Sequence, residues 1–178
     1  LLLQSVPGVA PPPPDHDFVA AGYYHSSGSP RAYKLEFEVR DGRLHGIATP
    51  VKTRDGQDQM RVNLFRYDAR ENRITEIDWN LPEGLSALEE PLEFEVGGLA
   101  GSVLDPSRRS PDGYRLEWTG YRSQGLMGEL FGFGHRPSQW VLKQGDQVFE
   151  LPPFEALRFY GRDQLVFLGW VGREAVEP

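Results

Sequence analysis

Cysteine is absent from the 178 residues, which excludes disulfides, thiolate zinc sites, thioether-linked haem and thiol nucleophiles. A chain without cysteine fits any redox compartment, so the absence does not locate it. Lysine is scarce: Lys34, Lys52 and Lys143 are the only ones among 19 basic residues. The rest are arginines, whose planar forks suit carboxylate pairing and stacking on rings, although genome composition explains the bias equally well. Positive charge is in deficit overall. With 26 acidic residues the net charge is -7 and the pI is near 5.1, which repels a polyphosphate backbone and argues against nucleic acid as a partner. No segment carries an apolar repeat at three and four, so long helices are not expected, and Leu81 to Glu90 is the best place for one short helical turn.

The 39% of hydrophobic residues, with 12% aromatics, suffice for a core, and the length fits one domain. The opening LLLQSVPGVA has no initiating methionine, and Leu1, Leu2 and Leu3 read as the tail of an apolar export or anchor segment. Residues 11 to 14 are PPPP, a stiff extended spacer without backbone donors. The expected organisation is therefore an N-terminal arm over residues 1–14, tethering a single β domain over 15–178 to a membrane or a partner.

From Asp17 onward the pattern has period two. Tyr33, Leu35, Phe37 and Val39 alternate with Lys34, Glu36, Glu38 and Arg40, and Asp41-Gly42 supplies a tight positive-φ turn into a returning strand over Leu44 to Ala48. Further strands are expected over 60–67, 74–79, 92–96, 114–118, 139–143, 148–151, 156–160 and 164–172, for roughly nine to eleven in all. Short turns between strands imply an all-β antiparallel meander, forming a closed or nearly closed β-barrel, with a β-sandwich as the alternative. LVFLGWV, residues 165–171, is apolar on both faces and needs a second cover. The arm, an outer loop, another subunit or lipid are the candidates, which makes Val166, Leu168 and Trp170, together with Leu1 to Leu3, candidate partner-binding residues.

QGLMGELFGFGHRP, residues 124–137, is glycine-rich but is no phosphate loop, because a proline and a strand follow where a helix is required. It reads as a bent strand whose glycines admit a close neighbour, or as the mouth of a cavity. Met127, Phe131 and Phe133 would line that cavity, over a floor to which Tyr33 and Trp118 contribute along with Phe37 and Tyr114. In this general sense the architecture resembles a lipocalin-type barrel, although the G-x-W signature is missing, with Gly22-Tyr23-Tyr24 in a similar place.

Other chemistry is thin. Asp15-His16-Asp17, with His25 nearby, offers oxygen and imidazole ligands, but alternation sends His16 to the face opposite the aspartates, so a solvated strand start is expected rather than a metal site. Glu36, Glu38, Glu93, Glu95 and Glu117 are expected to face water or to pair with Arg40, Arg43 and Arg115 instead of forming a catalytic acid pair. No G-x-S-x-G elbow accompanies the four histidines, and RRSPDG, residues 108–113, reads as an exposed basic turn. Neither a cofactor nor a metal is expected. The leading expectation is a non-enzymatic accessory or assembly subunit of a larger, membrane-associated complex, periplasmic or otherwise extracytoplasmic, with a protein partner. The alternatives are a lipocalin-like carrier of an apolar small molecule, and a β-barrel hydrolase or isomerase using carboxylates.

Overall fold

The computed structural model describes residues 12–25, 32–51, 60–99, 101–119, 139–154 and 165–172, and these residues are all-β. The strands are β1 (Phe18–His25), β2 (Tyr33–Arg40), β3 (Arg43–Pro50), β4 (Met60–Asp68), β5 (Arg73–Ile77), β6 (Leu92–Glu95), β7 (Val103–Asp105), β8 (Arg115–Thr119), β9 (Gln139–Gln144), β10 (Gln147–Glu150) and β11 (Leu165–Gly172). Every pairing is antiparallel. Helical structure among the described residues is limited to two 3-10 turns, Leu85–Ala87 and Gly97–Leu99, the first inside the stretch expected to hold one. No helix there is long and apolar enough to cross a membrane.

The strands form three sheets, ordered β5-β4-β1-β11-β7, β2-β3-β6 and β10-β9-β8. Among the described residues none of them closes into a barrel. The meander expected from short turns holds only locally, in the hairpins β2-β3, β4-β5 and β9-β10; β8 pairs with β9, β1 lies between β4 and β11, and β3 pairs with the distant β6. The β2-β3 hairpin turns at Asp41 (φ 49°) and Gly42 (φ 76°), the two left-handed residues that its sequence prescribes. The expected strand over 156–160 and the stretch 124–137 lie outside the described residues.

The five-stranded sheet is the middle layer. Val19 and Ala21 of β1 pack with Val62 and Leu64 of β4 against Tyr33, Leu35, Leu44 and Ala48 of the β2-β3-β6 sheet. On the opposite face Phe18, Ala20, Phe65, Tyr67 and Trp170 pack against Tyr114, Leu142, Leu151 and Phe154, beside the β10-β9-β8 sheet. Consecutive residues of β1 thus serve two cores, and Phe18 through Ala21 have no accessible surface. That arrangement answers why LVFLGWV is apolar on both sides. Its cover is the chain's own pair of outer sheets, since Leu168 belongs to the first core and Trp170 to the second.

A β-bulge adjusts the phase of β11: Val19 pairs with Gly169 while Ala20 pairs with Phe167, so Leu168 is the extra residue. Phe167 and Trp170, three positions apart, both reach the second core and meet Phe18 at 6.1 and 5.8 Å between ring centroids. Gly169 is needed here because a Cβ would stand 3.0 Å from the Asp105 carbonyl oxygen across the β11-β7 pairing. An aromatic laid over a bare strand glycine, the device expected of residues 124–137, is found at Gly46, whose missing Cβ position lies 2.4 Å from the Phe94 ring on the paired strand.

Candidate functional site

The segment that leads into β1 is held by the body of the domain at every step. Pro14 is buried, and the Tyr114 hydroxyl donates to the Pro12 carbonyl. The Asp15 N–H donates to Asp112 Oδ2 at 2.8 Å, and His16 Nδ1 lies 3.2 Å from Asp112 Oδ1. Both of these atoms are buried, and each has the other as its near polar neighbour. Asp17 then accepts from Arg66 Nη2 at 2.7 Å and Nε at 3.2 Å through one oxygen, and from the Ala69 N–H at 2.9 Å through the other.

Asp112 reaches the arm because the turn that carries it is closed on itself. Ser110 is buried, its Oγ accepts from Tyr114 N–H at 2.8 Å, and its carbonyl accepts from Gly113 N–H, where φ is +87°. RRSPDG is therefore not simply an exposed basic turn. Arg108 and Arg109 are exposed, while Ser110 and Asp112 form its structural half. The sequence signal was the S-P-D-G tetrad itself, a turn with an outward carboxylate, hidden behind the two arginines.

Electrostatics follow the geometry. Burial alone would raise the Asp112 pKa, but the Asp15 N–H, the Ser110 hydroxyl and the neighbouring His16 outweigh it and leave the carboxyl below its ordinary value of 3.8. Burial, with Asp112 and Asp15 nearby, pushes the Tyr114 hydroxyl up. Tyr67 is raised further by burial and by Asp17 and Asp68. A carboxyl depressed in the folded state contributes stability that is complete above its unfolded pKa and is lost as pH falls through the folded one. Asp112→Asn should therefore cost about 1–2 kcal/mol near pH 7, and the gap from the parent should close as pH drops below 3.8. Urea unfolding midpoints measured from pH 7 to pH 3 check this; a gap independent of pH would refute it.

Two open clefts flank this segment. One, of about 490 Å³, lies between His16, Asp105, Pro111 and Trp170; the other, of about 390 Å³, lies between Asp17, Arg66, Asp68 and Ser102. His16 lines both. Asp15, His16 and Asp17 are held separately: the Asp15 N–H and the His16 ring meet Asp112, while the Asp17 carboxylate meets Arg66. Among the described residues no group of three or more His, Cys, Asp or Glu side chains could hold a metal. What the arrangement does chemically is fasten an extended arm to the start of the innermost strand.

Set against known proteins, the chain finds no match among family models, curated proteins or solved structures. Function must therefore be read from the site alone.

The residues singled out in the sequence fall in several places. Leu1, Leu2, Leu3, Met127, Phe131 and Phe133 lie outside the described residues. Tyr33 is 8% exposed and belongs to the first core. Trp118 is half-buried and meets its cross-strand partner Trp140 edge to face at 5.3 Å. Of the partner candidates, Leu168 (6%) and Trp170 (1%) are closed off by the chain's own layers, and Val166 (44%) is exposed. Most of the acidic stripe faces solvent in ion pairs: Arg40 with Glu38 and Glu93, Arg43 with Glu95, and Lys34 with Glu36; Glu117, about one-third exposed, pairs with Arg115. Such exposed pairs contribute little to stability. Asp112 and Arg66 were not picked out from the sequence as site residues, and Tyr114 was read as cavity floor and not as an anchor, because their partners lie far away along the chain.

Proposed function

We propose that this chain is a non-enzymatic accessory or assembly subunit of a larger, membrane-associated complex, acting on the extracytoplasmic, periplasmic side with a protein partner. The observation that carries the reading is the fastening of the proline arm's end: Pro12, Asp15 and His16 are tied to the turn that carries Asp112 and Tyr114, and Asp17 to Arg66 and Ala69. A stiff proline spacer transmits a position only if its end is fixed, and this one leads into a strand whose first four residues are fully buried. The test uses the protein expressed from its own gene in its own host and extracted from the cells in mild detergent. The parent should migrate as part of a larger complex, and Asp112→Asn combined with Tyr114→Phe should release it while its far-ultraviolet dichroism is unchanged. A parent that is monomeric and soluble overturns the reading.

The carrier of an apolar small molecule is a second reading, favoured by the half-buried Trp118–Trp140 pair at the edge of the β10-β9-β8 sheet. It requires an apolar dye such as anilinonaphthalene sulfonate to bind the native protein, and Trp118→Ala, Phe131→Ala or Phe133→Ala to weaken that binding.

A further inference from the structure

The β2-β3-β6 sheet is joined to the edge of the central sheet by backbone, through the Leu104 N–H that donates to the Gly42 carbonyl at 2.7 Å. Among the described residues the β10-β9-β8 sheet has no such bond. It meets the central sheet through the side chains of the second core. Apolar contact is non-directional, so a layer held by it alone opens at lower cost than one that also shares backbone bonds. The chain supplies a second attachment on that side, and it runs through the arm.

The stretch from Pro12 to Asp17 bridges the two layers. On the outer side its anchors belong to the turn that leads into β8. The Tyr114 hydroxyl donates to the Pro12 carbonyl, and its buried ring shares the second core with Leu142 of β9. Asp112 faces both ways: its carboxylate receives the Asp15 N–H and sits beside His16, while its carbonyl accepts from Gln144 Nε2 of β9 at 2.5 Å. Gly113 lets that side chain lie close, since a Cβ there would stand 3.3 Å from the same nitrogen. On the central side the Asp17 carboxylate receives Arg66 and the Ala69 N–H, and its carbonyl accepts from the Val171 N–H at 2.9 Å. Among the described residues no hydrogen bond or ion pair of the arm reaches the β2-β3-β6 sheet.

We infer that the arm is a strap: docking of residues 12–17 locks the β10-β9-β8 sheet against the central sheet, and release of the arm loosens that sheet and not the other. The reason is that the arm and β9 hold the same turn. Without the arm, Asp112 Oδ1 and the Tyr114 hydroxyl lose their partners, the turn loses its support from the central sheet, and its bond to Gln144 is made less often. Linkage makes the effect mutual, so freeing the turn from Gln144 weakens the hold on the arm by the same factor. A partner that drew the arm away would thereby reach a sheet it does not touch. The inference stands whether or not the assembly reading does, since it requires only the folded domain.

The test is residue-resolved amide hydrogen exchange of the purified chain, followed by nitrogen-15 NMR. His16→Ala combined with Tyr114→Phe cuts the arm side while keeping a ring in the core, and Gln144→Ala cuts the sheet side. The arm variant should exchange about tenfold faster over residues 139–144 and 147–150, the effect of losing about one hydrogen bond's worth of local stability. Residues 33–40 and 43–50 should stay within about twofold of the parent. Gln144→Ala should speed exchange of the Asp15 amide, which Asp112 protects, about tenfold. Gln144 is partly exposed at the end of β9, so this variant keeps the test open if the arm variant does not fold. Equal acceleration in both outer sheets, the mark of plain global destabilisation, overturns the inference. So does an unchanged β10-β9-β8 sheet in the arm variant, or an unchanged Asp15 amide in Gln144→Ala.

Discussion

Replacing Trp170 by alanine should remove about 3–5 kcal/mol of stability, the range for truncating a buried aromatic, and that is a large part of what holds a domain of this size together. Trp170 is 1% exposed, meets Phe18 edge to face and Phe167 at 5.0 Å, and donates from its indole nitrogen to the Ser107 carbonyl at 3.0 Å. Alanine would leave a cavity at the junction of β1, β11 and the chain after β7, and would orphan the Ser107 acceptor. Trp170→Phe separates the two costs, keeping most of the volume and losing only the hydrogen bond, and should recover more than half of the loss. Urea unfolding followed by far-ultraviolet dichroism measures both. Equal losses for the two variants would show that ring packing around Phe18 is not what Trp170 supplies.

The second large effect is expected two residues apart on a single strand. Leu168→Asn places an amide inside the first core and should cost about 4 kcal/mol or more, combining lost apolar burial with an unpartnered polar group. Val166→Asn, at a position 44% exposed, should change stability by no more than about 0.5 kcal/mol. The pair also decides what the two-sided strand is for. A Leu168→Asn protein that folded normally and lost only a partner would return that residue to an interaction surface and remove it from the core.

What could be read from the sequence depended on how local the cause was. Asp41-Gly42 fixes its own turn, and the alternation on either side fixes which residues of β2 and β3 face inward, so that hairpin was legible to within a residue or two. The pairing of Arg40 and Arg43 with glutamates was legible too, because period two puts those charges on one wet face. β1 was legible only as a strand start near Asp17, for the opposite reason. Its buried half, FVAA, shows no alternation because both of its faces are interior, and acidic residues and prolines precede it. β7, three residues long, has too little pattern to be seen. Strand order is less local still: nothing in LVFLGWV says that its neighbours are β1 and β7, and without that order two outer sheets cannot be told from a barrel wall with lipid or a subunit outside. The arm's attachment was invisible for the same reason, since Asp112 and Arg66 serve residues at the far end of the sequence.

The pairing of Phe18 with Trp170 joins residues separated by nearly the whole chain. β1 is flanked by β4 on one side and by β11 on the other, so its own hairpin neighbours cannot complete it. Loop closure on that scale is entropically costly and must precede any reward from the contact, which places the protein among slow, high-contact-order folders working in milliseconds to seconds. Until β11 is available, β1, whose first four residues end fully buried, has an open edge and no second neighbour. Such a topology makes the closing of the central sheet depend on the meeting of its two most distant strands.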